Sequence, residues 1–306
     1  ITSATYKWVN NMPSIGLAVN GTEKIPTFKG VNTTDDLLTA KISVTPTYTN
    51  NMVACDGEVK EVEYIVKPTA KVTNTDTKDT ICSGVNNKAI TWKTNVLESA
   101  TSFEWKLINN PDSVSGHEIN GSGDFKSVKI FNKAKSIRSL VYRVKPTIYG
   151  CLGDTSFLYT LYINPSASLK GIDDQVICGG GSYVSPTFSS DVSSTVFKWS
   201  LRDSLLVPTT ISGYLKKGVA VLPSASVQNS GILPYTLIYD VSTDVSGCSG
   251  QSIEFKLTVN PAPKVVFDLT NQTICNATSS KTVNLSSTSP GVFFEWKINS
   301  IPDSLT

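Results

Sequence analysis

The chain has 306 residues, a length that indicates two to three domains rather than one. Its 27 Lys and Arg residues nearly balance 25 Asp and Glu residues, and a charge of +2 excludes the basic field that nucleic-acid binding requires. An apolar content of 40% excludes a disordered tail. The sequence contains no run of about 18 apolar residues, so no membrane span is predicted.

Residue types and their spacing predict an all-β protein. β-branched and aromatic residues are abundant, Gly and Pro recur, and no long stretch has apolar residues at helical spacing. The first residues carry neither the basic nor the apolar part of a signal peptide. We therefore expect the targeting segment, any anchor and the true termini to lie outside this sequence.

An aromatic-x-Trp triplet recurs along the chain. It occurs as Tyr6-Lys7-Trp8, Phe103-Glu104-Trp105, Phe197-Lys198-Trp199 and Phe294-Glu295-Trp296, with Trp residues 97, 94 and 97 positions apart. A period of this length with a Trp on an early strand is typical of two-sheet sandwiches, so all four Trp side chains are predicted to fill the core. The alternative is an exposed platform that stacks on carbohydrate, for which the additional Trp92 is a candidate.

A strand followed by Pro closes each repeat. It ends at Pro68, Pro165 and Pro261, and its apolar residues alternate, as in the run Tyr159, Leu161, Ile163. This period of two predicts a half-buried strand, and a Cys- and Gly-bearing turn joins it to an earlier alternating run to form a terminal hairpin.

These markers divide the chain into four immunoglobulin-like modules of about seven strands. Residues 1–68 form a module that lacks its first strands, residues 69–165 and 166–261 form complete modules, and residues 262–306 form the first strands of another. Short Pro-containing linkers are stiff, so the modules are expected to form a rod.

The six cysteines fall into two repeating classes. Cys82, Cys178 and Cys275 each follow Ile, whereas Cys55, Cys151 and Cys248 each stand two residues before Gly. Two regular disulfide patterns are open. One lies within modules and joins Cys82 to Cys151 and Cys178 to Cys248. The other crosses the junctions, as in Cys55 with Cys82. We favour the first, which leaves Cys55 and Cys275 for other partners, and free thiols are a further alternative.

The residue types and their spacing predict neither a catalytic site nor a metal site. His117 is the only His, so a His-based triad or a Cys/His zinc site is not predicted, and no catalytic group recurs with the modules. The acidic pairs at residues 35–36 and 173–174, and the segment 76–79, lack a full calcium-ligand pattern. We expect no cofactor and no enzyme activity, with loop calcium as a weak alternative.

Three stretches resemble a known family. They are residues 5–17 (TYKWVNNMPSIGL), residues 42–50 (ISVTPTYTN) with the following Cys55-Asp56-Gly57, and residues 259–263 (VNPAP). The chain resembles the PKD-like, immunoglobulin-like tandem repeats of giant Bacteroidota surface proteins, the SprB-like adhesins. The resemblance implies type IX export and a role in adhesion, gliding or prey capture.

A second resemblance concerns modification. Asp-Ser/Thr-apolar triplets place Thr80, Ser113, Ser204 and Ser304 after an Asp, three of them shortly after a Trp strand. The triplets look like the O-glycosylation signal of Bacteroidota. The alternative is a turn in which the Asp side chain bonds to the backbone.

We therefore expect a stalk or filament segment of a secreted cell-surface adhesin. Its predicted partners are neighbouring modules, laterally associated copies, and surface glycans or other cells bound elsewhere in the protein. Carbohydrate-binding or accessory modules of an extracellular hydrolase are the alternative, for which exposed Trp92 or a Tyr stripe would be evidence.

Overall fold

A computed structural model describes residues 4–96 and 101–299. The chain divides into two compact units, residues 1–165 and 166–306. The described residues form strands, turns and loops, with one 3-10 turn at Pro13–Ile15, so the predicted all-β class is confirmed. None of the described segments is a helix long and apolar enough to cross a membrane.

The first unit begins with a five-stranded sheet. Its strands are β1 (Ala4–Asn10), β2 (Asn20–Thr22), β3 (Leu38–Asn50), β4 (Val53–Asp56) and β5 (Lys60–Val66). The long strand β3 pairs with β1, β4 and β5, all antiparallel. Trp8 of β1 is buried against Ile42 of β3 in the core of this sheet.

A two-sheet sandwich follows in the same unit. Its strands are β6 (Lys78–Cys82), β7 (Val85–Asn86), β8 (Thr101–Leu107), β9 (Val114–Ser115), β10 (Asn120–Ser122), β11 (Lys129–Asn132), β12 (Arg138–Ile148), β13 (Cys151–Leu152) and β14 (Leu158–Asn164). One sheet has the order β10-β8-β12-β14-β6, and the other has the order β7-β11-β9. Trp105 of the first sheet and Ile130 of the second belong to one buried cluster, which makes this a sandwich.

The second unit repeats that plan. Its strands are β15 (Gln175–Cys178), β16 (Val196–Leu201), β17 (Ile211–Ser212), β18 (Lys217–Val219), β19 (Gln228–Asn229), β20 (Tyr235–Val245), β21 (Cys248–Asn260), β22 (Val265–Phe267) and β23 (Leu285–Ser287). The main sheet has the order β15-β21-β20-β16-β18, with β17 and β19 opposite. β22 and β23 form a separate pair. The predicted boundaries at residues 68, 165 and 261 remain predictions.

The predicted closing hairpin is present in both complete sandwiches. β12 pairs with β14 and β20 pairs with β21, in each case antiparallel across the Cys- and Gly-bearing turn. The alternating residues Tyr159, Leu161 and Ile163 are fully buried, because successive side chains of a strand point to opposite faces of the sheet.

The Trp triplets place three side chains in the core and one outside it. Trp8, Trp105 and Trp199 are 3–5% exposed, whereas Trp296 is 81% exposed, so the core assignment of Trp296 is wrong for this structure. Burial of the first three depends on a paired neighbouring strand on each side, as Trp199 has from Val241 and Gly218. Trp296 lies outside any described strand and has no such neighbours.

A glycine lies under the indole of each buried triplet Trp. Trp8 is opposite Gly21, Trp105 opposite Gly121, and Trp199 opposite Gly218. A Cβ atom on any of these glycines would overlap the indole Cζ2 atom at well under 3.0 Å. The indole therefore lies flat on bare backbone, a close approach that only glycine permits.

A repeated asparagine ties a loop to the closing strand. In the second sandwich Nδ2 of Asn229 donates to the carbonyls of Val259 (2.8 Å) and Leu233 (2.9 Å), and its Oδ1 accepts from the Gly231 amide at 2.9 Å. Asn132 donates equivalently to Ile163 (2.8 Å) in the first sandwich, and Asn32 to Val66 (2.9 Å) before it. Asn132, Asn229 and their bonds to Ile163 and Val259 are buried, so these two bonds satisfy carbonyls that water does not reach.

Candidate functional sites at the module poles

The entry pole of each complete module, where its chain begins, is built around the closing hairpin turn. The turn after β12 contains Gly150 and the turn after β20 contains Gly247, both with positive φ. Three residues further on, Gly153 and Gly250 lie so close to the carbonyl oxygens of Ala70 and Ala167 that a Cβ would collide with them. The first residues of each module are thereby packed against its own last hairpin.

A small apolar cluster fixes this arrangement. Ala70, Val96 and Ile148 form the cluster in the first sandwich, and Ala167, Val192 and Val245 form its equivalent in the second. Thr243 Oγ1 also donates to the Ala167 carbonyl at 3.1 Å. The position of the hairpin turn relative to the entering chain is therefore set by packing and hydrogen bonding together.

At the exit pole of each module, where its chain leaves, the first strand pairs with the closing strand. β6 runs parallel to β14 and pairs Cys82 with Asn164, and β15 runs parallel to β21 and pairs Cys178 with Asn260. The amides of Ser83 and Gly179 donate to the carbonyls of those asparagines at 3.0 and 2.8 Å. Cys82 and Cys178 therefore each lie beside the last residue of the closing strand of the same module.

The two cysteine classes consequently occupy opposite poles of one module. Cys248 begins β21 and Cys178 pairs with its end at Asn260. Twelve residue steps at about 3.4 Å separate those ends by about 40 Å, whereas disulfide-bonded Cα atoms are less than about 7 Å apart. A disulfide within the module is geometrically excluded.

The bonding state of the cysteines corrects the predicted patterns. Cys82 and Cys248 are disulfide-bonded. The other four cysteines are free and exposed, namely Cys55, Cys151, Cys178 and Cys275. Both regular patterns require bonds to cysteines that are free, so Cys82 with Cys151, Cys178 with Cys248, and Cys55 with Cys82 are all wrong for this structure.

The candidate glycosylation residues that the structure describes, Thr80, Ser113 and Ser204, lie on the surface or at its edge. Thr80 is exposed on β6, and its amide donates to the Asp79 carboxylate at 2.7 Å. Ser113 is half-buried, and its Oγ accepts from Arg138 at 3.2 Å. Ser204 is half-buried in a turn closed by the Leu206 amide. Ser304 lies outside the described residues. Modification of the four remains a prediction.

Chemistry-bearing side chains are dispersed. Across residues 4–96 and 101–299 no group of three or more His, Cys, Asp or Glu side chains is placed to hold a metal ion. In the acidic pairs, Asp174 accepts the Lys256 amide at 2.8 Å and Asp35 accepts from Asn95. His117 is hydrogen-bonded to Asn110 at 2.9 Å, and burial lowers its pKa.

We predict that Asp244, at the entry pole, stabilises the folded state and that this stabilisation is lost in acid. Its carboxylate accepts from Lys198 Nζ (2.7 Å) and from the Gly247 amide (2.9 Å), and the Lys198 bond is the main cause that lowers the Asp244 pKa from the ordinary value of an Asp side chain. Because the folded pKa is depressed, the stabilisation is present above the unfolded pKa and is lost as pH falls through the folded pKa. Asp244→Asn should reduce the free energy of unfolding by about 1 kcal/mol or less at pH 7.

Urea unfolding of wild type and Asp244→Asn at pH 7, 5 and 3 checks this. The difference in the free energy of unfolding between wild type and Asp244→Asn should be largest at pH 7 and should decrease towards pH 3. Lys198→Met is the matched control, because it removes the partner and should reduce the same pH dependence. A difference that is constant with pH would contradict the assignment to the ion pair.

Sequence reasoning missed two features that recur in the modules, the asparagine bonded to the closing strand and the glycine under the indole. Asn32, Asn132 and Asn229 recur at steps of 100 and 97, close to the module length. Their regular recurrence could therefore have marked them as structurally equivalent residues. The glycines follow their Trp residues by 13, 16 and 19 positions. Because this spacing differs from module to module, the glycines do not recur at a constant period.

Comparisons with known proteins identify a family and several similar structures. The model of the PKD-like domain family matches residues 79–167 and 175–263. Among solved structures, the chain is similar to Drosophila OTK extracellular domains 3–5 (10% identity, TM-score 0.33, 84% of this chain and 86% of that one). It is also similar to Drosophila N-cadherin EC1-4, with 13% identity and a TM-score of 0.30 over 95% of this chain and 78% of that one. A third similar structure holds three N-terminal domains of the bacteriophage RB49 highly immunogenic outer capsid protein, with 12% identity and a TM-score of 0.36 over 85% of this chain and 89% of that one. No curated protein matches the chain.

Proposed function

The chain belongs to the PKD-like domain family, and from that premise we propose that it is a load-bearing stalk or filament segment of a large secreted adhesin. The SprB-like surface proteins of Bacteroidota, with type IX export and roles in attachment, gliding or prey capture, are the proposed class. The repeated modules supply length and mechanical resistance, and neighbouring modules and laterally associated copies are the proposed partners. Glycans or other cells are bound elsewhere in the protein.

One observation carries this proposal, namely the parallel pairing of first and closing strands. β6 pairs with β14 over five residue pairs from Lys78 to Cys82, and β15 pairs with β21 over four from Gln175 to Cys178. When a module is pulled at its two ends, its first strand is drawn towards the entry pole and its closing strand towards the exit pole.

Parallel neighbours pulled in opposite directions are loaded in shear. The backbone hydrogen bonds between them are then stretched together, and they rupture only when several fail at once. Antiparallel neighbours pulled apart at one end open bond by bond, because each broken bond transfers the load to the next. The observed topology is therefore the one that resists tension along the chain.

The cysteines support a secreted location. Cys82 and Cys248 are disulfide-bonded, and such bonds form and persist in oxidising compartments outside the cytosol. The cell-surface position and the route of export are part of the proposal.

Trp92 does not supply the exposed platform that the carbohydrate-binding alternative expects of it. Trp92 is 4% exposed and packs among Phe125, Phe157 and Tyr159, with ring centroids 5.9–6.3 Å apart. A buried indole offers no face to a sugar, so Trp92 supports core packing instead.

Single-molecule pulling under reducing conditions tests the proposal. With handles at the chain termini, each complete module should unfold in one high-force event that releases about 300 Å, the extended length of roughly 90 residues. The reference attaches handles at Leu233 and Pro261, beside the paired ends of β20 and β21, and unzips the same module. Terminal rupture forces no higher than this reference would overturn the load-bearing proposal.

A further inference from the structure

A glutamine fixes the first strand of the second sandwich to the loop that follows it. Gln175 of β15 donates from Nε2 to the Val184 carbonyl at 2.8 Å, and its Oε1 accepts from the Val184 amide at 2.9 Å. Gln272 and Lys281 form the same two bonds further along the chain, at 2.8 and 2.7 Å. The partners are nine positions apart in both cases, so this pair of bonds is a repeated feature of the modules.

The first sandwich has an aspartate at the position of that glutamine. Asp79 of β6 pairs with Leu161 of β14. Gln175 of β15 makes the equivalent pair with Leu257 of β21. An aspartate side chain is one methylene shorter than a glutamine and, when ionised, has no donor. Asp79 therefore cannot form the two glutamine bonds to Lys88, which lies nine positions on.

A cavity of about 350 Å³ lies beside this aspartate in the first sandwich. Its lining includes a tyrosine hydroxyl and five charged side chains of both signs, namely Lys78, Lys88, Lys93, Asp76 and Asp79. At about 30 Å³ for each water molecule, the cavity has room for roughly 12 waters. A small organic ligand of similar volume therefore fits into it.

Tyr159 lines the cavity with a hydroxyl group that has no partner. The residue is 1% exposed, and across residues 4–96 and 101–299 its hydroxyl forms no hydrogen bond. By contrast, the hydroxyl of the neighbouring Tyr142 donates to the Glu118 carbonyl at 3.0 Å. Phe255 occupies the equivalent position of the second sandwich, across from Tyr239, and is fully buried. Core packing therefore does not require the Tyr159 hydroxyl, which is left to bind a ligand.

The charges around the cavity favour a neutral ligand over an ion. Burial, and then the nearby carboxylates of Asp79 and Asp76, raise the pKa of Tyr159, so its hydroxyl stays protonated and can donate. An anion would be repelled by the same carboxylates, and a cation would be repelled by the three lysines. A ligand with several hydroxyl groups can accept from Tyr159 and the lysines and donate to the aspartates at the same time.

We propose that this cavity binds one sugar unit, with the Tyr159 hydroxyl and the Asp79 carboxylate as its central polar contacts. Asp79 accepts the Thr80 amide at 2.7 Å through Oδ1, which leaves its other oxygen for a sugar hydroxyl. Ala89 and Ile90 also line the cavity, and their apolar atoms suit the carbon-bound hydrogens of a sugar ring. The site goes beyond the load-bearing function, because it gives one module a ligand that the second sandwich does not bind.

Ligand-observed NMR on the whole chain tests the site. Saturation-transfer difference spectra are recorded with millimolar glucose, galactose, mannose and N-acetylglucosamine, and with the disaccharides lactose and cellobiose. At least one of these sugars should show saturation transfer. Transfer to a monosaccharide alone would identify a free sugar as the ligand, and transfer to the terminal ring of a disaccharide would identify the end of a glycan.

Two substitutions test the assigned contacts. Tyr159→Phe removes only the hydroxyl and should weaken sugar binding about fivefold, the effect of one hydrogen bond. Asp79→Gln introduces the residue that forms the two loop bonds in the second sandwich, and it should weaken binding by more than about tenfold. Tyr162→Phe is the matched control and should leave binding unchanged, because Tyr162 lies on the opposite face of the same strand.

Several results would refute the sugar site. They are no saturation transfer to any sugar of the panel, unchanged binding in both Tyr159→Phe and Asp79→Gln, or an equal loss in Tyr162→Phe. Tighter binding of lysine methyl ester or inorganic sulfate than of every sugar would show a site for ions and would also refute it. These measurements apply no force, so their failure leaves the load-bearing proposal standing, and low rupture forces leave the sugar site standing.

Discussion

Gly218→Ala is expected to destabilise the second complete sandwich by about 3 kcal/mol, the upper part of the usual range for over-packing. The added methyl group would overlap the indole of Trp199. That ring has little freedom to move, because it is buried and its Nε1 donates to the Val221 carbonyl at 2.9 Å. Chemical unfolding followed by Trp fluorescence measures the loss.

The control for this prediction is Gly171→Ala in the same unit. A Cβ atom added to Gly171 would meet no other atom within 4 Å, and this glycine has no positive φ, so its substitution should change stability by less than about 0.5 kcal/mol. A double-mutant cycle with Trp199→Phe identifies the cause. If the clash is responsible, Gly218→Ala should cost less in the Trp199→Phe background, and strict additivity would contradict it.

Asn132→Asp is expected to cost about 3 kcal/mol at neutral pH and to recover on acidification. The Asn132 amide donates to the carbonyls of Ile163 and Ser136 at 2.8 and 2.9 Å. A carboxylate there provides no donor, so two carbonyls lose their partner and face a buried negative charge. The pKa of the new carboxyl group would be raised in the folded state, since only its protonated form donates.

The sign of the pH dependence follows from linkage. A folded pKa above the unfolded value of about 3.9 means that the folded state binds more protons in between, so stability rises as pH falls through the raised pKa. Urea unfolding between pH 7 and pH 4 measures this. Asn120→Asp, at an exposed position of β10, is the control and should change little. An acid-independent loss in Asn132→Asp would contradict the donor role.

Much of the fold could be predicted because its signals are local or periodic. The alternation in the run from Tyr159 to Ile163 reports a half-buried strand from neighbouring residues alone, and the steps between Trp8, Trp105 and Trp199 report the module length. The turn before Gly153 was recognisable from residue type. Each of these signals depends on the chemistry of a few adjacent residues, or on their repetition.

The sites could be predicted less well, because they depend on contacts between distant segments. The spacing of Gly218 from Trp199 is set by a loop whose length differs between modules, so no fixed pattern marks it. Trp296 is exposed because no described strand pairs beside it, and residue type alone does not reveal this.

Local periodicity and repetition encode the all-β class, the repeat length, the closing hairpin and the division of the cysteines into two classes. The parallel course of the first and closing strands, and the position of the two cysteine classes at opposite poles, are instead seen in the fold. Both are consequences of which strand ends meet in space, and residues such as Cys178 and Asn260 meet across a separation in sequence that no local pattern spans.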